Sequence, residues 1–398
     1  MLPEIILYLF IGILLGLIAG LIPGIHPNAF AFLILTFSPF LDLNIFYLIA
    51  ILIGAEITNS FVDFIPSILF FAPEENTALS ILPSQKFFLQ GKAYEAIYLT
   101  VYGGLFASFL ILASSPLFII LIPKFYFYLK PFISILLILT IFHLFYIQKE
   151  NKFSAFLVFI FSSLLGLIVF KLPLATTSIL FPTLAGLFGL SSLYFASSKS
   201  EVPEQEFDIN LEDCSRKRST VLSVLAGLFA GILPGVGSSQ VTVMSQQLAR
   251  IRNLKDFMIT IGGITTANSI FSIIALFTIG NPRSGTAVAI QALNFEITLN
   301  NLFLIIFLIS ITTGIAAILT LKFSKILIRN LHKVRYNQLT KFIFFGLLGL
   351  VVITTGWVGL IIALTSFSIG IFCISQGVKR SLMMSVLIVP TILIFLGI

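Results

Sequence analysis

Gly16-Leu-Ile-Ala-Gly-Leu-Ile-Pro-Gly-Ile-His-Pro-Asn28 begins as an apolar helix and then meets Pro23, Gly24 and Pro27 within five residues. The two prolines remove backbone donors, and proline and glycine both disfavour continued helix, so a break is expected there. A break inside a hydrophobic run leaves amides and carbonyls without partners, and in lipid these are tolerated only inside protein or along a watery cavity. The phrase returns as Gly227-Leu-Phe-Ala-Gly-Ile-Leu-Pro-Gly-Val-Gly-Ser-Ser239, with Gly16, Leu17, Ala19, Gly20, Pro23 and Gly24 recurring 211 positions later. A second set follows in the same order: Gly54, Asn59, Ser60, Pro73, Thr77 and Ala78 recur 209 positions later as Gly263, Asn268, Ser269, Pro282, Thr286 and Ala287. Two collinear matches at nearly one offset argue for an internal duplication.

Composition fixes the setting. With 58% hydrophobic residues, 10% charged residues and a mean hydropathy of +1.10, the chain lies outside the range of soluble domains. It reads as an all-α polytopic membrane protein of about ten to twelve passes, since its apolar runs are long enough to span about 30 Å of hydrocarbon. The net charge of +7 comes from Lys and Arg in short loops, the pattern of cytoplasmic loops rather than of a nucleic-acid surface. Cys214 and Cys373 form no disulfide framework or metal motif. The first apolar run lacks a basic flank and a small-residue cleavage site, so it is expected to be retained. The forty-three Phe residues suit a lipid-facing surface.

Residues 1–195 are expected to form a first transmembrane repeat, 196–218 a polar cytoplasmic linker, and 219–398 a second repeat. The linker holds six acidic residues against Lys199, Arg216, Lys217 and Arg218. Arg216-Lys-Arg218 precedes the second repeat, and Arg250 to Lys255 follows its break, whereas the matching flanks of the first repeat are not basic. By the positive-inside rule the second repeat starts in the cytoplasm and the first outside, giving inverted repeats whose broken-helix or re-entrant hairpins meet near the midplane. Farther on, Trp357 and its neighbouring glycines are expected to split the 342–375 run into two passes.

Pro23, Gly24, His26 and Asn28 of one break, with Pro234, Gly235, Gly237, Ser238, Ser239 and Gln240 of the other, are the candidate substrate contacts, because half-helix N-termini present free amides to an anion. Asn59, Ser60, Asn268 and Ser269 add side-chain oxygens and amides to that list. Glu56, Thr58, Asp63 and Thr266 are the candidate ion-coupling residues. An intramembrane carboxylate costs about 2.5–3.5 kcal/mol on insertion scales and so faces a cavity or a partner. Against each stands a structural role: kinks in buried helices, Gly-x-x-x-Gly packing, or hydrogen bonds between helices. The chain carries no phosphate-binding loop, nucleophile elbow or catalytic carboxylate pair, so it is not expected to be an enzyme. No cofactor is expected beyond Na⁺ or H⁺ as coupling ion.

Taken together, Gly-x-x-x-Gly-x-x-Pro-Gly, the Asn-Ser run, the interruption with Thr-Ala, Gln90-Gly-Lys-Ala-Tyr-Glu-Ala96 and Phe181-Pro-Thr-Leu-Ala-Gly-Leu-Phe-Gly-Leu190 resemble TctA, the large membrane subunit of tripartite tricarboxylate transporters, in a short and divergent form. The resemblance implies secondary uptake of carboxylates in the plasma membrane, driven by an ion gradient, with a small membrane subunit and an extracytoplasmic binding protein as partners. The alternatives are a compact stand-alone permease, a translocase of lipid phosphates such as polyprenyl phosphate, and a non-transporting scaffold or channel.

Overall fold

The computed structural model describes residues 2–22, 31, 34, 43–70, 81–129, 132–146, 148–174, 176–196, 203–232, 238–249, 253–280, 282, 284–296, 298–331 and 336–396. Among these there is no strand, and the helices follow the apolar runs. In chain order they are α1 (Leu2–Leu21), α2 (Ile45–Val62), α3 (Phe64–Leu69), α4 (Ile81–Leu89), α5 (Ala93–Ala113), α6 (Ser115–Leu129), α7 (Ile133–Tyr146), α8 (Lys152–Val169) and α9 (Thr176–Leu184). A π-helical turn, Ala185–Leu190, leads into α10 (Ser191–Ala196). The second half holds α11 (Arg216–Ile232), α12 (Ser238–Leu248), α13 (Leu254–Ile279), α14 (Gly285–Ala292), α15 (Leu299–Leu331), α16 (Tyr336–Ser375) and α17 (Ser385–Leu396). Seven helices among the described residues are long and apolar enough to cross a membrane, and five more are apolar but shorter. The chain is an all-α polytopic membrane protein.

The centre is built from two copies of one motif. α1 and α2 run parallel: Tyr47 at the start of α2 donates to Glu4 at the start of α1 at 2.6 Å, and Tyr8 stacks on Tyr47. Higher up, a Cβ added to Gly12 would lie 2.3 Å from the Ile51 carbonyl, one on Gly16 2.4 Å from that of Ala55, and one on Gly20 2.7 Å from Val62. Glycine at four-residue spacing thus lets the two backbones touch, which is how helices pack without a hydrophobic driving force between them. α11 and α13 repeat the arrangement. Ser223 bonds the Thr260 carbonyl at 3.2 Å, a Cβ on Gly227 would meet Ala267 and Ile264, and one on Gly231 would meet Phe271. Gly16 faces Ala55 and Thr58; Gly227 faces the residues 209 positions on. Even the caps match, since Asn44 accepts from Phe46 N and Asn253 from Lys255 N, each at 3.0 Å.

Parallel partners require the chain to return between them. In the second copy that return is visible. α12, at about 1.5 Å per residue, is too short to span the hydrocarbon, and it doubles back until Arg218 at the foot of α11 donates to the Ala249 carbonyl at 2.6 Å. In the first copy the corresponding return falls largely outside the described residues.

The copies exchange partners. α5 packs on α13 and α15 on α2, with Gly103 against Ile259 and Gly262 against Thr100. α2 and α13 run in opposite directions. Phe46, near the start of α2, meets Phe295, which also meets Phe277 near the end of α13. Phe61, near the end of α2, shares the space beside Gly104 with Thr266, in the first half of α13. These two helices are the most buried of the long spans. Around them α7–α10, α16 and α17 form a flank joined by the same small-residue contacts, as where Gly166 abuts Val386 and Gly186 abuts Ala363. α16 is interrupted at Gly356 (φ 67°, ψ −158°), beside Trp357.

Residues 203–215 are laid along one end of the bundle as a strap. Gln205 accepts from Ala93 N and donates to the Phe88 carbonyl, both at 3.1 Å, and Glu206 N donates to Gly91 at 2.7 Å. Lys255 reaches the Asn210 carbonyl at 2.6 Å and Glu95 at 3.1 Å, so the starts of α5 and α13 are tied together. At the same end Arg329 lies over Phe207 and Lys325 over Tyr94.

Candidate functional site

Glu56, Asn59 and Asp63 follow one another at i, i+3 and i+7 on α2, which brings them to one side of the helix. Their counterparts 209 positions on, Thr265, Asn268 and Ser272, form the same stripe on α13. All but Asn268, which is half-buried, are buried. Each stripe ends beside the helix that leads into a Pro-Gly break: a Cβ on Gly20 would lie 3.2 Å from Asp63 N, and one on Gly231 3.0 Å from the Asn268 carbonyl and 3.1 Å from Ser272 N. Pro23, Gly24, His26, Asn28, Pro234, Gly235 and Gly237 themselves lie outside the described residues.

Glu56 joins the copies. The Thr286 hydroxyl donates to its Oε2 at 2.9 Å, and Ser269 brings a second hydroxyl to the same carboxylate. Thr286 is carried there by α14, whose first turn is fixed by Ser284 accepting from Ala287 N at 3.1 Å. Nearby, Asn59 Oδ1, Thr265 Oγ1 and Ser272 Oγ are buried without a hydrogen-bond partner among the described residues. A buried polar group left unpaired costs about 1–3 kcal/mol. So many together are the signature of a place where water, an ion or a ligand completes the bonding.

The remaining candidates divide. Thr58 turns toward α1 at Gly16, away from Glu56, and its hydroxyl is also without a partner among the described residues. Ser60 is satisfied by its own helix, donating to the Ile57 carbonyl at 2.8 Å, and Thr266 donates back to Gly262 at 3.2 Å while packing on Gly104. Ser238 is buried at the start of α12, where its carbonyl accepts from Thr242 at 2.6 Å. Ser239 and Gln240 share that first turn, with side chains outside the described set. No group of three or more His, Cys, Asp or Glu able to hold a metal occurs among the described residues.

Sequence reasoning missed Thr286 as a site residue, although its recurrence with Pro282 and Ala287 was the available signal. It also missed the Glu95–Lys255 pair, for which no signal existed, because Lys255 reads as one of several loop cations.

Comparison with known proteins agrees with the chain-wide pattern. A protein of Methanocaldococcus jannaschii, described as uncharacterized protein MJ1079, is 36% identical over 403 residues, covering 98% of this chain and 99% of that one. No solved structure matches. The family described as tripartite tricarboxylate transporter TctA matches residues 6–385, nearly the whole length. The chain therefore belongs to the tripartite tricarboxylate transporter TctA family, a family of multi-pass membrane transporter components.

Proposed function

We propose that the chain is the permease of a secondary uptake system for a small organic anion, a carboxylate, working in the plasma membrane by alternating access and driven by a H⁺ or Na⁺ gradient. The observation that carries this reading is the pair of matched polar stripes on oppositely running helices, each ending beside the helix that precedes a Pro-Gly pair. Inverted repeats with discontinuous helices bind substrate between the repeats, where half-helix N-termini meet an anion. α12, opening directly after Pro234-Gly235, is one such half-helix. Asn59 and Asn268 then offer amides and carbonyl oxygens to the substrate from either side. The strap end, with Arg216, Lys217, Arg218, Lys255, Lys325 and Arg329, faces the cytoplasm by the positive-inside rule. A small membrane subunit and an extracytoplasmic binding protein deliver the substrate.

Uptake of a panel of di- and tricarboxylates into vesicles, with the chain reconstituted alone and with candidate partner subunits, tests the reading. Gradient-dependent accumulation of at least one, lost in both Asn59→Ala and Asn268→Ala, is expected. Accumulation unchanged in both variants contradicts it.

A further inference from the structure

We propose that Glu56 is the residue that binds the coupling proton, and that in doing so it closes the contact between the two copies. The inference rests on the permease reading for its role in transport, but its geometry stands independently.

Glu56 is 5% exposed, midway along a helix buried on nearly every side. Its polar partners among the described residues are two hydroxyls, Thr286 and Ser269, both from the other copy. Among the described residues no cation compensates it. α14 carries no charged residue among those described, and the cations of α13 and α15 lie at the strap end, where Lys255 holds Glu95 and where Lys325 and Arg329 cover Tyr94 and Phe207. α1 contributes Glu4 and Tyr8, both at the start of α2 beside Tyr47, about 13 Å along the helix at 1.5 Å per residue. α5 contributes Glu95 with Tyr94, Tyr98 and Tyr102, and α2 itself Asp63 two turns on; none of these bonds Glu56.

Two hydroxyls can serve either form of the carboxyl, since both can donate to the anion and one can turn to accept from the acid. A hydroxyl both donates and accepts, as does a protonated carboxyl. With Thr286 donating to Oε2, the acid O–H is free to donate to Ser269 Oγ. The step adds one proton from solution to one carboxylate oxygen, changes the charge from −1 to 0, and breaks no bond in the protein. Losing that proton leaves a buried anion with no countercharge among the described residues, where it costs far more than at the surface. Hydration of Glu56, and with it separation of α2 from α14, relieves that cost. The 2.9 Å contact leaves no room for an ion between Thr286 Oγ1 and Oε2. The duplication adds a second argument, because the position matching Glu56 is Thr265. One copy titrates here and the other does not, so a single proton is bound at these paired positions.

Infrared difference spectroscopy of the purified full-length protein, titrated with pH in H₂O and D₂O, reads this directly. The wild type should keep a carboxylic-acid C=O band at neutral pH that is lost in Glu56→Gln, shifted in Thr286→Val, and unchanged when sodium chloride replaces choline chloride. A band that survives in Glu56→Gln, or that sodium abolishes at constant pH, overturns the proposal, the latter in favour of a Na⁺ site. If Glu56→Gln does not fold, Thr286→Val decides, and an unmoved band overturns it. Failure of carboxylate uptake with the band behaving as expected sinks the permease and leaves the proton site standing; uptake without the band sinks the proton site alone.

Discussion

The two copies share their packing and differ in their charge. α1 on α2 and α11 on α13 use the same glycine positions, facing residues at one constant offset, and the same asparagine cap. Yet the stripe on α2 holds two carboxylates, Glu56 and Asp63, where that on α13 holds Thr265 and Ser272. Close helix contact is a geometric demand that both copies must meet. Charge on the buried stripe is no part of that demand, and only the first helix pair carries it.

The copies also differ at the first turn of their central helices, and this is where the largest effect is expected. Lys255, beside its cap, meets a Glu95 that is 1% exposed, while the matching Phe46 packs on Phe295. Lys255→Ala leaves that carboxylate buried and unpaired and should cost about 3 kcal/mol of stability. Phe46→Ala, losing apolar area and one ring contact, should cost about 1–2 kcal/mol. Denaturant unfolding in detergent measures both, and Glu95→Gln added to Lys255→Ala should restore part of the loss. Equal losses for the two single variants would erase the distinction.

The glycines sharpen the likeness. Gly16→Ala and Gly227→Ala should each cost about 1–3 kcal/mol by overpacking. Their obstacles differ: the Ala55 carbonyl oxygen at 2.4 Å in one case, the Ala267 methyl at 2.3 Å in the other. Ala267→Gly should therefore rescue Gly227→Ala, while no substitution at Ala55 removes the obstacle to Gly16→Ala. A rescue at neither site would mean that the contacts are not as close as described.

The smallest effect is at the caps. Asn44→Ala and Asn253→Ala should each cost about 1 kcal/mol. Asn253→Ala should cost more, because its amide also donates to the Asp213 carbonyl of the strap. Thermal unfolding of the two variants side by side checks the order.

Much of this was legible in the sequence, for a physical reason. A position where a Cβ would strike the neighbouring helix, its carbonyl at Gly16 and Gly54 or its side chains at Gly20, Gly227, Gly231 and Gly263, favours glycine, so Gly16, Gly20 and Gly54 recur as Gly227, Gly231 and Gly263 and mark the two matching helix pairs in the sequence. The split of the 342–375 run was visible in the same way, since the interruption falls on Gly356 at a positive φ that glycine accepts most readily. The Glu56–Thr286 contact was not legible. It joins residues 230 apart through a short helix whose direction is set by Ser284, and nothing in local patterning fixes which polar group it meets. The strap was equally hidden: residues 203–215 read as a polar tract, and only the folded chain brings Gln205 to Phe88 and Ala93, and Asn210 to Lys255.

The central claim is that two like units cross the membrane in opposite senses with Glu56 between them. Its most direct test places single cysteines at the matched caps, Asn44→Cys and Asn253→Cys, in a chain whose Cys214 and Cys373 are replaced, and labels sealed vesicles of known orientation with an impermeant maleimide. Asn44→Cys should react from outside and Asn253→Cys only from inside. Labelling of both from one face would contradict the account.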